Sequence, residues 1–152
     1  MKIQKQLIVH NPSLGNFGDC YRTCIAVMLD LNAADVPHFY QGARMDGDNI
    51  IPDKGSAKAI QDWLTERDIV QINVIFDGDL SVDDVLKTGG LMNIGIPFMF
   101  SGKSRLGCNH AVVAINGEIA CDPSGNGIVG PCEDGYYWLT YLGKKLNPET
   151  LV

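Results

Sequence analysis

Two residues, Asn116 and Gly117, separate the apolar run His110-Ala111-Val112-Val113-Ala114-Ile115 from the run Glu118-Ile119-Ala120-Cys121. A tight hairpin turn of this length needs positive φ at both central residues, which asparagine and glycine adopt with least strain, so the pattern predicts an antiparallel strand pair. A strict two-residue turn pairs Ile115 with Glu118, and therefore Ala111 with Asp122 and His110 with Pro123. His110 and Asp122 would then face opposite sides of the sheet. They can meet only if the hairpin carries a bulge, a three-residue turn or a frayed end near Cys121-Asp122.

The rest of the chain fits around that hairpin. Leu14-Gly15-Asn16-Phe17-Gly18 reads as a loop, after which Asp19 is placed to N-cap a helix whose apolar residues Cys20, Cys24, Ile25, Val27, Met28 and Leu31 recur at spacings of three and four. That helix is expected to end near Asn32, with a linker or a short second turn from Ala33 to Phe39 and a polar loop from Gln41 to Lys54. Ser56 to Asp68 has helical spacing and Ile69 to Phe76 is β-branched enough for a strand. Ser81 should cap a short helix that reaches Lys87 and is stopped by Gly89-Gly90. A strand is expected over Ile94 to Phe100, limited by Pro97 to a sheet edge or a bulge, and Ser101 to Asn109 reads as loop. Tyr136 to Leu142 is the final strand. Helices early and strands late give an α+β class with antiparallel pairing.

A length of 152 residues fits one domain, residues 1–152, and 45% hydrophobic with 20% charged residues is a globular balance. The net charge of −6 argues against a nucleic-acid footprint, which needs clustered Lys and Arg. The apolar runs fall short of the ~20 residues of a bilayer span, and Leu7-Ile8-Val9 is too short for a signal-peptide core of ~7–15 residues. Neither a membrane nor a nucleic acid is therefore expected as a partner. Five cysteines, an odd number, suit a reducing compartment, so a cytoplasmic location is expected, the host cytoplasm if the chain is phage-encoded.

A thiol reacts as thiolate, and the first turn of a helix stabilises negative charge through its free N–H groups and dipole. Cys20 has that position. An imidazole would take its proton, and a carboxylate on the other ring nitrogen would fix the tautomer. His110 and Asp122 are the candidates. Cys24, one turn on, is the rival nucleophile, but a mid-helix position gives it no free N–H groups. Cys20, Cys24, Cys108 and His110 are a zinc alternative, at spacings unlike the tight knuckles of common zinc modules. Cys24, Cys121 and Cys132 read by default as inert core thiols, and His10 and His38 as loop-packing histidines.

Gly18-Asp19-Cys20-Tyr21-Arg22-Thr23-Cys24-Ile25-Ala26 resembles the nucleophile block of the bacteriocin-processing double-glycine leader peptidases, a papain-like group. His110-Ala111-Val112-Val113 followed by Asp122-Pro123 is similar to that group's His and Asp blocks, in the same order. The resemblance rests on these two short blocks. The resemblance implies a papain-like fold, in which the helix bearing Cys20 packs on an antiparallel sheet bearing His110 and Asp122. It implies a cysteine hydrolase or acyltransferase acting on an amide, isopeptide or thioester of a peptide, protein or other acyl-bearing substrate. No cofactor or metal is called for. Two positions depart from the family. Its oxyanion-hole Gln is replaced by Leu14, leaving Asn16 as the nearest amide for that role, and the glycine after the nucleophile is Tyr21. The departures keep a second reading open, a papain-like scaffold serving as a protein-binding or inhibitory module, conceivable in phage counter-defence.

Overall fold

A computed structural model describes residues 1–11, 18–40, 44–46, 49–51 and 56–146. In chain order the elements are α1 (Cys20–Leu29), a 3-10 turn (Ala33–Asp35), β1 (Arg44–Asp46), β2 (Asn49–Ile51), α2 (Ser56–Thr65), β3 (Ile69–Asp77), α3 (Val82–Met92), β4 (Phe98–Lys103), β5 (Asn109–Ile115), β6 (Glu118–Cys121) and β7 (Tyr136–Lys144). β1 and β2 pair with each other, and the other strands form one sheet in the order β3-β7-β4-β5-β6. Every pairing in that sheet is antiparallel. The class is α+β.

The sheet has apolar layers on both faces, and this explains the nearly continuous hydrophobic runs of its central strands. Met99, Ala111, Val113 and Cys121 pack with Cys24, Ile25 and Val27 of α1 and with Ile60 and Leu64 of α2. Phe98, Phe100, Val112, Ala114, Leu139 and Tyr141 pack on the other side with Val85 and Leu86 of α3. Phe98, Met99 and Phe100 are therefore all buried although they alternate in direction. α1 lies against β5, and the Cys20 thiol at the start of that helix lies near the Ala111 N–H at the start of that strand.

Several boundaries differ from the sequence reading for identifiable reasons. α1 stops at Leu29 because Asp30 takes the left-handed conformation at φ 58° and its N–H returns to Ala26 and Val27 carbonyls. α3 does not stop at Gly89-Gly90 but continues to Met92. There the glycines serve packing: a Cβ on Gly89 would stand 2.7 Å from Leu139 Cδ2 and 2.9 Å from Phe98 Cζ, and one on Gly90 would run into the backbone of Asn116 and Gly117. Ser81 does cap this helix, accepting the Asp84 N–H at 3.1 Å. Pro97 does not mark an edge. β4 begins one residue later and lies between β7 and β5, so the missing proline N–H falls just outside the ladder. β4 also extends to Lys103, into the stretch read as loop. Within the expected Gln41–Lys54 loop, the described residues form the β1–β2 pair, with Arg44 opposite Ile51.

Candidate active site

Cys20 is the first residue of α1, as its position after Asp19 suggested. Asp19 holds the N-cap position but its side chain does not cap the helix. The fully buried carboxylate accepts the Ile8 N–H at 2.8 Å and pairs with Arg22 Nε at 2.8 Å, while Arg22 Nη1 donates to the Val36 carbonyl at 3.1 Å. Asp19 thus ties the N-terminal segment to α1 and leaves the helix-start N–H groups to the thiol. Burial pushes the Cys20 thiol up to about 11, and neighbouring Cys108 and Asp19 add to the rise. The backbone N–H groups of Ala111 and Tyr21 oppose it, so both lie where they would stabilise a thiolate. Cys24 is fully buried, and burial first, then Cys20, holds its thiol well above the ordinary range.

The hairpin contains the irregularity that a His110–Asp122 contact requires. Asn116 and Gly117 take φ of 53° and 83°, and Ile115 pairs with Glu118 and Ala114 with Ile119, but Val113 pairs with Cys121. Ala120 is the extra residue. It moves Asp122 one step in register and so turns it to the side of β5 from which His110 projects. His110 Nε2 lies 2.7 Å from Asp122 Oδ1, with the His110 side chain only 5% exposed.

Asp122 is held from its other side by the turn that follows. Its Oδ1 accepts N–H bonds from Ser124 at 3.2 Å and Gly125 at 3.0 Å, and its Oδ2 accepts one from Gly127 at 2.7 Å. Gly125 and Gly127 have φ of 75° and 70°, backbone that side-chain-bearing residues rarely adopt and that lets their N–H groups converge on the carboxylate. Burial disfavours the carboxylate, but the bonds from His110, Gly127 and Gly125 outweigh it, and Asp122 ionises below its ordinary value. An ionised carboxylate only accepts, so His110 carries its proton on Nε2 and presents Nδ1 as the basic nitrogen.

Cys20 and His110 line one cavity of about 560 Å³. No hydrogen bond joins them among the described residues; the thiol rests near the Ala111 N–H, beside His110 in the chain. Asn16 lies outside the described residues, as does the rest of the 12–17 segment. Among the described residues no three His, Cys, Asp or Glu side chains could hold a metal ion, so Cys20, Cys24, Cys108 and His110 do not assemble a zinc site. All five cysteines are free thiols. No described helix is long and apolar enough to cross a membrane.

Sequence reasoning missed two neighbours of the site. Ser124 Oγ lies 3.0 Å from His110 Nε2 and 3.4 Å from Asp122 Oδ1, a second polar group on the same ring nitrogen. The signal was present in Asp122-Pro123-Ser124-Gly125, an Asp-led turn followed by glycine. His10 also lines the cavity, where burial lowers its pKa and its Nδ1 accepts the Gly18 N–H at 3.1 Å. No family model, curated protein or solved structure matches this chain.

Proposed function

We propose that the chain is a papain-like cysteine hydrolase or acyltransferase in which Cys20 is the nucleophile, His110 its base and Asp122 the group that orients the base. The observation that carries this reading is the 2.7 Å bond between His110 and Asp122, formed through a bulge, on a strand beside the helix start that holds Cys20. Likeness of the Gly18–Ala26 and His110–Pro123 blocks to the double-glycine leader peptidases supports it from the sequence.

The thiol proton passes to His110 Nδ1, and the sulfur attacks the carbonyl carbon of an amide, isopeptide or thioester. The tetrahedral intermediate collapses with loss of the amine or thiol, which takes the proton from His110. An acyl thioester remains on Cys20. Water or another acceptor then gives a proton to His110, attacks the thioester and restores the thiol. Burial raises the Cys20 thiol to about 11, so proton transfer to His110 accompanies attack. Asp122 and the Ala111 and Tyr21 N–H groups stabilise the resulting imidazolium and thiolate.

That raised pKa also favours a second reading, a papain-like scaffold whose Cys20 is unreactive and whose cavity binds a partner. An electrophilic thiol probe applied to the wild type, Cys20→Ala and Cys24→Ala separates the two. The enzyme reading expects labelling near neutral pH that is faster than that of free cysteine, is lost in Cys20→Ala and is retained in Cys24→Ala. Labelling no faster than free thiol favours the binding scaffold. Loss in Cys24→Ala alone makes Cys24 the nucleophile.

A further inference from the structure

The cavity beside Cys20 has a chemistry of its own away from the thiol. Gln71 and Asn73 reach it from β3, and Tyr21, Tyr40 and Trp138 give it aromatic surface. The Thr140 hydroxyl donates to Asn73 Oδ1 at 2.7 Å, and the Tyr21 hydroxyl donates to Gln71 Oε1 at 3.4 Å. Each bond takes one lone pair of the amide oxygen, so each side chain keeps its NH₂ donor pair and one further acceptor site to offer. Tyr21 and Tyr40 meet edge to face with centroids 5.4 Å apart, which fixes one aromatic wall.

The charge balance is equally specific. No lysine or arginine lines the cavity among the described residues, while Asp134 does. Its carboxylate accepts Trp138 Nε1–H at 2.7 Å and the Tyr136 N–H at 3.0 Å, which sets a negative group beside the Trp138 ring. Among the described lining residues an incoming carboxylate or phosphate would meet no lysine or arginine, only the imidazoles of His10 and His110, and would be repelled by Asp134. A carboxamide has no charge to desolvate. Its oxygen can accept from the NH₂ groups of Gln71 and Asn73, and its plane can stack on the aromatic wall.

We infer that the Cys20 site selects an acyl group with an uncharged, acceptor-bearing side chain, a carboxamide being the fitting case, and rejects carboxylates and phosphates. This rests on the reading of Cys20 as nucleophile. Specificity arises because an acceptor-bearing side chain replaces the water on the Gln71 and Asn73 donors, which an apolar isostere cannot do, and because a charged isostere is repelled.

The test compares inactivation of the full chain by N-acetyl-glutaminyl, N-acetyl-glutamyl and N-acetyl-leucyl acyloxymethyl ketones, with iodoacetamide as a probe that has no side chain. Cys20 should react with the glutaminyl probe about tenfold or more faster than with the glutamyl probe, with the leucyl probe between them. In Gln71→Leu and in Asn73→Leu the advantage of the glutaminyl over the leucyl probe should shrink. Equal rates for the glutaminyl and glutamyl probes, with iodoacetamide reacting briskly at Cys20, overturn the selectivity and leave the nucleophile standing. Cys20 slow towards all four reagents overturns the nucleophile reading and this inference with it.

Discussion

His110 and Asp122 meet at 2.7 Å although a regular hairpin turning at Asn116-Gly117 would point them to opposite sides of the sheet. The one-residue bulge at Ala120 corrects the register. A backbone irregularity that leaves a ladder position unpaired is a structural cost, and here it coincides with the place where the buried His110 meets the Asp122 carboxylate. This is why the pair reads as built for a purpose and not as an accident of a polar turn.

Replacing Asp122 by Asn preserves shape but removes the charge that fixes the Nε2–H tautomer and steadies the imidazolium. Modification of Cys20 by an electrophilic probe should slow by about two orders of magnitude, less than the roughly 10⁴-fold lost in turnover when the orienting carboxylate of a serine triad is neutralised. The measurement is the second-order labelling rate at Cys20 near neutral pH. An unchanged rate would remove Asp122 from the mechanism.

Acid should loosen the fold through the same residue. The folded-state pKa of Asp122 lies below its ordinary value, so its contribution to stability is complete above the unfolded value of about 4 and is lost as pH falls through the lower folded value. Urea midpoints measured on the wild type should fall as pH drops below about 4, and Asp122→Asn should show a smaller fall over that window. Equal acid sensitivity in the two proteins would contradict the assignment.

The buried Asp19–Arg22 pair anchors both the N-terminal segment and the start of α1. Asp19→Ala leaves Arg22, 14% exposed, without its partner and removes the acceptor of the Ile8 N–H. A loss of about 3 kcal/mol in unfolding free energy is expected, the low end for a broken buried pair because Arg22 can partly rehydrate. Chemical denaturation checks the value, and a loss below 1 kcal/mol would mean that the pair is replaceable by water.

Gly90→Ala sets two effects of opposite sign against each other. Helix propensity alone favours alanine by about 1 kcal/mol, but the added Cβ would collide with the Asn116–Gly117 turn backbone. Backbone cannot yield as a side-chain tip does, so a net destabilisation of about 2 kcal/mol is expected. Thermal unfolding decides. A stabilised variant would show that α3 and the hairpin can separate at little cost.

Local chemistry made much of this legible in the sequence. Asn116-Gly117 specified the hairpin, Ser81 the start of α3, and the residue after Asp19 the start of α1. What stayed hidden was set by long-range packing. Gly89 and Gly90 look like helix stops until Leu139, Phe98 and the Asn116–Gly117 turn are seen to need the space. Pro97 looks like an edge signal until β7 and β5 are found flanking the strand it precedes. Asp19 looks like a helix cap until Arg22 and the Ile8 N–H are found to occupy its carboxylate. At the candidate site, the need for a bulge followed from counting residues, but its position at Ala120 did not. The second hydrogen bond of His110, to Ser124, depends on the path of a glycine turn that spacing alone leaves open.

The central claim is that His110 takes the proton of the Cys20 thiol. Its most direct test is the rate of Cys20 alkylation by iodoacetamide at pH 7, located by peptide mass spectrometry, in the wild type and in His110→Ala. If His110 is the base, the variant should lose about tenfold or more of the rate, because the Cys20 thiol, which burial already raises to about 11, then has no imidazole to take its proton. Equal rates in the two proteins would contradict the account.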